Sequence, residues 1–287
     1  MTDVAFVAGA VAGVFECLVV QPLDMVKTRF QLHAGNSRPA VSEALMALLR
    51  EGGVPRLYRG VLPELAAMTP KSSAMYSAYE ASLRALEERG VRPMAAHLAA
   101  GITAGVPEAA VVTPFQVVKV RLQAKEHLGR YHGTLHCLRT VLAEEGPRAL
   151  ASGFFATCWR NCVWNGVFFA TLHGMRTSPV LGGGDLQHGD GALMQSLRTG
   201  ASGFLAGVFA TCFNAPFDVV KSRIQAERRH AGDPARPPPS VLGRLVAIMR
   251  TEGLQGVYAG LTPKAMRMGL GGAVGILAFE VTKKVLT

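Results

Sequence analysis

Two arginines occupy matching positions in two apolar stretches of the chain. Arg160 and Arg267 each come seven residues after a glycine, Gly153 or Gly260. A charged side chain within a membrane span is costly, so it usually faces water or a partner and marks a functional site. An arginine that snorkels to the membrane surface is the alternative, but two arginines at one depth favour a shared role. Each guanidinium can bind a carboxylate through two parallel hydrogen bonds, so the pair predicts a site for a dicarboxylate.

Three further residues complete the predicted binding site. Lys71 comes four residues after the position in the first apolar stretch that matches the two arginines, so it lies on the same helix face and supplies a third cation. Thr69 is nearby, and Asn161 can donate a hydrogen bond to a keto or hydroxyl oxygen. The alternative for Lys71 is an internal ion pair with Glu16 or Glu108. Either glutamate is also a candidate carrier of a co-transported proton.

These positions recur because the chain contains three tandem repeats of roughly 100 residues. Each repeat has two glycines four residues apart, and a proline thirteen residues after the first of them. The glycine pairs are Gly9–Gly13, Gly101–Gly105 and Gly203–Gly207, and the prolines are Pro22, Pro114 and Pro216. The prolines open the strings PLDMVKTRFQ, PFQVVKVRLQ and PFDVVKSRIQ. We expect the repeats to cover residues 1–90, 91–190 and 191–287 and to form one transmembrane domain.

The long apolar stretches predict six membrane-spanning helices, because each is long enough for the roughly 20 residues that a span requires. The glycine pairs let neighbouring helices approach closely, and the prolines predict kinks within helices rather than helix ends. The predicted fold is therefore an all-α membrane protein with six transmembrane helices in three tandem two-helix repeats. A short amphipathic helix separates the two spans of each repeat. The predicted spans are 4–33, 61–86, 95–125, 154–177, 198–227 and 261–286.

The composition fits a membrane protein that encloses water. Hydrophobic residues make up 49% of the 287 residues, the mean hydropathy is +0.24 and the net charge is +10. Of the 30 lysines and arginines, 19 lie in 27–59, 119–148 and 221–250. The positive-inside rule places these segments on one side of the membrane and both termini on the other. Three separate basic stretches are unlike the single basic face of a nucleic-acid binder; a soluble basic binding protein is the remaining alternative of that kind.

No other chemistry is indicated by the sequence. Neither the five cysteines nor the histidines have the spacing of a metal site or a disulfide framework. The chain also contains no recognisable nucleophile–base constellation. We therefore expect no enzyme activity, no metal and no cofactor. Only three residues precede the first apolar run, so a cleavable targeting leader is not expected.

The three proline strings resemble the signature of the mitochondrial carrier family, in which a proline, an acid, two basic residues and a glutamine recur three times. The resemblance covers nearly the whole chain. It implies a pseudo-threefold bundle in the inner mitochondrial membrane, with the short helices on the matrix side and both termini toward the intermembrane space. It also implies one central site that opens alternately to each side. The expected protein is a monomer that binds a small dicarboxylate and membrane lipid, with cardiolipin as the candidate on the matrix side.

The resemblance implies a gate on the matrix side, formed by charged residues that follow the three prolines. In this gate Asp24 would pair with Lys119, and Asp218 would pair with Lys27. Partly buried ion pairs contribute according to their geometry, so we expect a gate that substrate binding can open. Three glutamines occupy the positions that brace these pairs in the family: Gln31, Gln123 and Gln225.

The third contact of the matrix gate is predicted to be weak. Gln116 stands at the position where the family has an acid. Lys221 would therefore have only a neutral hydrogen-bond partner, and a hydrogen bond to a neutral group is weaker than one to a carboxylate. We expect two ion pairs and one weak contact on this side.

The resemblance also implies a cytoplasmic gate about twenty residues after the glycine that opens each second span. Its candidate residues in this chain are Glu80, Arg176, Glu280 and Lys283. An acid with its base three residues later is present only as Glu280 and Lys283, because the first repeat lacks the base and the second lacks the acid. This weak gate predicts a resting protein that favours the state open to the intermembrane space.

Within the family, the chain resembles members that carry 2-oxodicarboxylates. The resembling strings are TPKSSAMYSAYE, PFQVVKVRLQ, PFDVVKSRIQ and LTPKAMRMGLGGAV. The resemblance implies an antiporter that exchanges substrates of the 2-oxoadipate and 2-oxoglutarate type. Two alternatives stay open: a carrier of citrate or another anion, and, in a different class, a membrane scaffold that transports nothing.

Overall fold

The computed structural model describes residues 2–32, 39–177, 192–226 and 240–286, and within these ranges the regular elements are helices. Helix α7 begins six residues earlier than the sequence predicts; the other five long helices begin and end within two residues of the predicted spans. The long helices are α1 (Thr2–Leu32), α3 (Val61–Glu87), α4 (Pro93–Gln123), α6 (Phe154–Thr177), α7 (Ala192–Ala226) and α9 (Leu261–Leu286). The shorter helices are α2 (Val41–Leu57), α5 (Thr134–Glu145) and α8 (Val241–Val257).

Within the residues that the structure describes, two of the long helices are apolar enough to cross a membrane on length and composition alone, α4 and the part of α7 from Gly200 to Ala226. Helix α3 is less apolar because it carries Glu64, Lys71 and Glu80. A charged residue within a span faces water or a partner rather than lipid. A mixed composition is therefore typical of a helix that lines a water-filled cavity.

The three prolines lie within long helices. Pro22, Pro114 and Pro216 are inside α1, α4 and α7, and each helix continues for about ten residues beyond its proline. The alternative in which each proline ends a helix is therefore wrong. A proline inside a helix removes one backbone hydrogen bond, so each of these helices has a weak point at the same depth.

The helices close into a ring through three matching seams, in which α3 packs along α4, α6 along α7 and α9 along α1. At each seam a glycine meets a glutamine of the next repeat. The φ angles of these glycines, +89°, +75° and +78°, fall in the left-handed region that glycine adopts without steric cost. A Cβ at Gly60, Gly153 or Gly260 would lie 3.4, 3.0 or 3.3 Å from the Cγ of Gln123, Gln225 or Gln31. The repetition gives the bundle its pseudo-threefold symmetry.

The glycine pairs bring helices together closely in the second repeat. A Cβ at Gly105 of α4 would lie 2.5 Å from the backbone nitrogen of Cys162 in α6, so only glycine fits there. In the first repeat the matching glycine, Gly13, faces the Cε of Met68 instead, at 3.1 Å from the position of a Cβ. The predicted close approach is thus backbone-to-backbone in the second repeat, while a methionine methyl group lies against the glycine of the first.

Each shorter helix is fixed to the first long helix of its repeat at one end of the bundle, which we call the short-helix end. Leu48 of α2 packs with Val26 and Phe30 of α1 in one of three buried apolar clusters. One ion pair accompanies each cluster, and the guanidinium in the third repeat binds both oxygens of its partner at 2.6 and 2.8 Å. The three ion pairs are Arg29–Glu51, Arg121–Glu145 and Arg223–Glu252. They hold each short helix against its long helix.

Candidate functional site

One ion cluster surrounds Asp24 between repeats. The Nζ of Lys119 lies 2.9 Å from Oδ2 of Asp24 and 3.1 Å from Oε2 of Glu64. The Nε of Arg267 lies 3.2 Å from Oδ1 of Asp24, and the Nζ of Lys71 lies 3.2 Å from Oε1 of Glu64. We call these five residues the Asp24 cluster. It joins helices α1, α3, α4 and α9.

A second ion cluster surrounds Asp218, which is almost fully buried. The Nζ of Lys264 lies 2.6 Å from Oδ2 of this aspartate, and the Nζ of Lys27 lies 3.4 Å from the same oxygen. The Nη1 of Arg160 lies 3.4 Å from Oδ1. We call these four residues the Asp218 cluster. Three cations therefore share one carboxylate, and they come from helices α1, α6 and α9.

Both ion pairs that the family resemblance implied are formed. Asp24 contacts Lys119, and Asp218 contacts Lys27. Each aspartate also contacts one of the two arginines of the predicted binding site. The sequence analysis treated the binding site and the matrix gate as separate sites. In the structure the two sets of residues are in contact, because each aspartate pairs with one lysine of the predicted gate and one arginine of the predicted binding site.

The third gate contact is not formed as expected. The Oε1 of Gln116 is buried and has no hydrogen-bond partner, and Lys221, also buried, forms no ion pair with any described residue. The predicted hydrogen bond between these two residues is therefore wrong. The physical reason is that a neutral amide attracts an ammonium group far less than a carboxylate does. The gate consequently contains one buried cation without a paired acid in the described part of the chain.

The three glutamines that were expected to brace the ion pairs bind hydroxyl groups instead. The Oε1 of Gln123 accepts a hydrogen bond from Thr28 at 2.8 Å, and the Oε1 of Gln31 accepts one from Ser222 at 2.7 Å. The Nε2 of Gln225 donates to the hydroxyl of Thr157 at 3.3 Å. The glutamines thus link neighbouring repeats through hydroxyl groups of the adjacent helices, and no hydrogen bond from them to the gate lysines is found in the described chain.

Asn161, which was predicted to donate to a substrate oxygen, accepts a hydrogen bond from Arg160. The Nη2 of Arg160 donates to Oδ1 of Asn161 at 2.6 Å. This hydrogen bond leaves the Nδ2 of Asn161 and the Nε of Arg160 as buried donors without a partner. The Nε of Arg267 is close to Asp24 but is not aligned for a hydrogen bond. The Nε of each arginine is therefore an unused donor, from which a ligand oxygen could accept a hydrogen bond.

Thr69 does not belong with these residues. Lys71 and Glu64 share one face of α3, since their side chains form an ion pair. Thr69 is only two residues from Lys71, which places it about 200° around the helix. Its side chain is exposed, away from the shared face. The assignment of Thr69 to the binding site is thus wrong for this conformation.

Neither glutamate that was considered for Lys71 is its partner. Lys71 pairs with Glu64. Glu108 accepts a hydrogen bond from the Nδ2 of Asn165 at 2.8 Å. The carboxylate of Glu16 lies against Gly271 of α9, where a Cβ would come within 2.9 Å of Oε1. The proposal that Glu16 or Glu108 carries a proton stays a prediction.

The opposite end of the bundle is only partly described. Glu80 contacts Arg84, one turn later in the same helix, at 3.6 Å, and both side chains are exposed. The carboxylate of Glu80 is therefore paired within its own helix rather than with a neighbouring repeat. The side chains of Arg176, Glu280 and Lys283 lie outside the described part of the chain. The composition of the cytoplasmic gate therefore stays a prediction.

The sequence analysis missed two charged residues of the clusters, Glu64 and Lys264. Both come four residues after the glycine that opens a second span, where the second repeat has Thr157. The signal was a position with opposite charges in the first and third repeats. The arginines were found because they match between repeats, whereas Glu64 and Lys264 differ between repeats and were therefore overlooked.

The chain matches the family described as mitochondrial carrier protein over residues 4–90, 90–178 and 194–287. A probable mitochondrial 2-oxodicarboxylate carrier of Schizosaccharomyces pombe is 36% identical over 96% of this chain and 92% of the relative. A protein of the same name from Dictyostelium discoideum is 35% identical over 98% and 90%. The mitochondrial citrate transporter D of Aspergillus niger is 33% identical over 96% and 91%.

These matches and the helical bundle confirm the predicted fold class. The matched segments follow the three repeats, although they do not test the repeat boundaries. Members of this family are transporters, and the matched family supports a place in the mitochondrial inner membrane. On the matches along its whole length and on its threefold helical ring, the chain belongs to the mitochondrial carrier family.

Proposed function

We propose that the protein exchanges 2-oxodicarboxylates, of the 2-oxoadipate and 2-oxoglutarate type, by alternating access through one central site. The observation that carries this proposal is the pair of arginines, each held by a different gate aspartate. A ligand with two carboxylates can bind both arginines at once. The names of the 2-oxodicarboxylate carriers among the relatives support the same substrate class.

The charges of the site favour an anionic substrate. The Asp24 cluster, the Asp218 cluster and Lys221 together contain seven cations and three carboxylates. A cavity lined mainly by one sign of charge attracts ligands of the opposite sign and repels others. A dicarboxylate compensates part of the surplus, whereas a cationic substrate would add to it.

Substrate binding and gate opening are linked through the two aspartates. A substrate carboxylate that binds Arg160 competes with Asp218 for the guanidinium, and a second carboxylate competes with Asp24 for Arg267. Each aspartate then loses one of its cations, which weakens the contacts between repeats. Binding therefore shifts the population away from the state with a closed short-helix end. The prolines within α1, α4 and α7 are the points where these helices can reorient.

The orientation in the membrane follows from the two ends of the bundle. We place the short-helix end, with its basic segments, on the matrix side and both termini toward the intermembrane space. Both ion clusters join the repeats at that end, so with this proposed orientation the conformation is closed to the matrix. The protein acts as a monomer in this proposal, because each repeat supplies part of one shared site.

The protein has two grooves at the short-helix end that are candidate sites for membrane lipid. One, of about 450 Å³, is lined in part by Tyr58, Gly60, Leu62, Gly133 and Thr134. Helices α3 and α5 begin there. The N-terminus of a helix favours a phosphate group, and the apolar residues can contact acyl chains. The other groove, of about 470 Å³, lies where α6 and α8 begin. We propose cardiolipin as the ligand of both.

The lipid proposal has its own test. Thr134→Glu adds a negative charge at the first groove. We expect this variant to lose part of the stabilisation that added cardiolipin gives to the purified wild-type protein, while dicarboxylate binding stays unchanged. Full cardiolipin stabilisation in the variant would contradict the assignment.

Transport by reconstituted protein tests the proposed function. Vesicles loaded with 2-oxoglutarate should take up labelled 2-oxoglutarate, and external 2-oxoadipate should compete. Arg160→Ala and Arg267→Ala should abolish exchange while the variants remain folded. If citrate competes and 2-oxoadipate does not, the protein is a citrate carrier like its relative in Aspergillus niger; if no anion is exchanged, it is a scaffold.

A further inference from the structure

The two ion clusters differ in charge although they occupy related places in the ring. The Asp24 cluster has three cations for two carboxylates, Asp24 and Glu64. The Asp218 cluster has three cations for one carboxylate. The buried Lys221 interacts electrostatically with this cluster but forms no ion pair in the described chain. The bundle is therefore more positive on the side of Asp218.

A single position causes most of this difference. Four residues after the glycine that opens each second span, the first repeat has Glu64 and the third has Lys264. Lys264 is buried, and its Nζ lies 2.6 Å from Oδ2 of Asp218. The amide of Asn214 lies on its other side, 3.3 Å from Nζ in the orientation of that side chain that satisfies both partners. The lysine is thus held in place and directed at the same carboxylate as Arg160.

The Nδ2 of Asn161, an amide donor without a hydrogen-bond partner, also lies on the side of Asp218. Asn161 accepts a hydrogen bond from Arg160, and this fixes its Nδ2 as a donor that has no partner. A buried donor without a partner costs free energy until an acceptor arrives. A keto oxygen next to a carboxylate would meet Nδ2 of Asn161 while the carboxylate meets Arg160.

We propose that Lys264 is a further substrate-binding residue, and that it and Arg160 receive the 2-oxo acid end of the substrate while Arg267 and Lys71 receive the distal carboxylate. This inference rests on the proposed function and adds a direction to the bound substrate. The 2-oxo acid carboxylate replaces Asp218 as the partner of Arg160 and Lys264. The distal carboxylate binds Arg267 and Lys71 of the Asp24 cluster, where the cation surplus is smaller.

Three ligands separate the two ends of the substrate. They are 2-oxoadipate, 2-oxohexanoate, which lacks the distal carboxylate, and adipate, which lacks the oxo group. Binding is measured as ligand-dependent thermal stabilisation of the purified full chain, from which dissociation constants follow by mass action. The variants are Lys264→Gln, Lys71→Gln and Asn161→Ala. Lys125→Gln is the matched control, because its side chain is mostly exposed and lies outside both clusters.

We expect Lys264→Gln to weaken 2-oxoadipate and 2-oxohexanoate by the same factor, about tenfold or more, because a hydrogen bond between charged groups is lost from both. Lys71→Gln should weaken 2-oxoadipate by a similar factor and leave 2-oxohexanoate unchanged. Asn161→Ala should weaken both oxo acids and leave adipate unchanged. Lys125→Gln should bind all three like the wild type.

Several results would overturn the inference. Unchanged 2-oxohexanoate binding in Lys264→Gln would mean that this lysine does not receive the oxo acid end. Weaker 2-oxohexanoate binding in Lys71→Gln, together with unchanged binding in Lys264→Gln, would reverse the assigned direction. If the wild type binds no dicarboxylate, the proposed function itself fails. Lys264→Arg, which keeps the charge, should restore most of the affinity; if Lys264→Gln does not fold, Asn161→Ala alone still decides the direction.

Discussion

The Nη1 of Arg160 lies 3.4 Å from Oδ1 of Asp218, so a residue of the proposed binding site and a residue of the proposed gate form one ion pair. The same relationship joins Arg267 to Asp24 at 3.2 Å. If the substrate binds both arginines, as we propose, it must change the partners of the aspartates. In the proposed mechanism, substrate recognition is therefore coupled directly to the stability of the closed end, with no intermediate element needed to transmit the effect.

The two gate aspartates should differ in their effect on stability. Asp218→Asn leaves Lys27, Arg160 and Lys264 without a carboxylate, and removal of one partner from a buried ion pair costs about 3–5 kcal/mol. Asp24→Asn should cost less, because Lys119 keeps Glu64. The unfolding temperature of the purified, unliganded variants measures the difference. An equal or larger fall for Asp24→Asn would contradict the charge distribution described here.

Lys221, which pairs with no acid in the described chain, gives a second prediction. Gln116→Glu supplies the missing acid, and we expect a higher unfolding temperature and slower exchange at saturating substrate, because the closed gate gains an ion pair. A charge-assisted hydrogen bond contributes about 1.5–3 kcal/mol, so exchange should slow by about tenfold or more.

Gln116→Met is the control for that substitution. The Oε1 of Gln116 has no partner to lose, so the methionine variant should exchange substrate at nearly the wild-type rate. If Gln116→Glu speeds exchange or lowers the unfolding temperature, the glutamate does not reach Lys221, and the gate has no vacant acid position.

The regular features of this fold could be predicted from the sequence, and the irregular ones could not. The apolar stretches predict six spans, and the family resemblance carried by the threefold strings implies the pairs Asp24–Lys119 and Asp218–Lys27. Symmetry cannot predict what happens where one repeat differs. Lys221 was expected to contact Gln116, but an amide provides no charge to hold it there.

Side-chain reach is the other limit of prediction from spacing. The contact between Arg160 and Asp218 depends on a long side chain that crosses from one helix to another, and residue spacing does not encode this direction. Helical periodicity did contain the information that excludes Thr69, since it is two residues from Lys71 and cannot share its face. That error came from proximity in sequence being taken as proximity in space.

A left-handed glycine at a helix seam gives a third prediction, with a matched control in the same chain. Gly153 has φ of +75°, and a Cβ there would lie 3.0 Å from the Cγ of Gln225. Gly90 has φ of +70° but would meet nothing within 4 Å. Gly90→Ala should cost about 1–2 kcal/mol for the left-handed backbone alone, and Gly153→Ala about 1–3 kcal/mol more for overpacking.

Unfolding temperatures of the two glycine variants, measured in the same detergent, check this difference. The larger loss should belong to Gly153→Ala, together with slower exchange, since the seam joins two repeats. Equal losses for the two alanines would show that the contact between α6 and α7 relaxes at no cost, and the close seams would then not be a source of rigidity.

Cys137 should be a chemically silent thiol in the folded protein. It lies in the cluster that fixes α5 to α4, where burial raises the pKa of its thiol to about 11. The thiolate is the reactive form, and an ordinary thiol has a pKa of about 8.5, so at pH 7.5 the thiolate fraction of Cys137 is lower by a few hundredfold. Maleimide labelling of a variant that keeps only this cysteine should be correspondingly slow and should become rapid after unfolding.

The pH dependence of that labelling separates a raised pKa from simple inaccessibility. Below its pKa a thiol gains about tenfold in thiolate for each pH unit, so the rate for folded Cys137 should rise about tenfold between pH 9 and pH 10, whereas the rate for an ordinary thiol of pKa about 8.5 approaches its plateau there. A rate that is slow and independent of pH would mean that local opening limits the reaction. Because the unfolded thiol ionises first, the same shift makes the fold less stable as the pH rises above about 8.5.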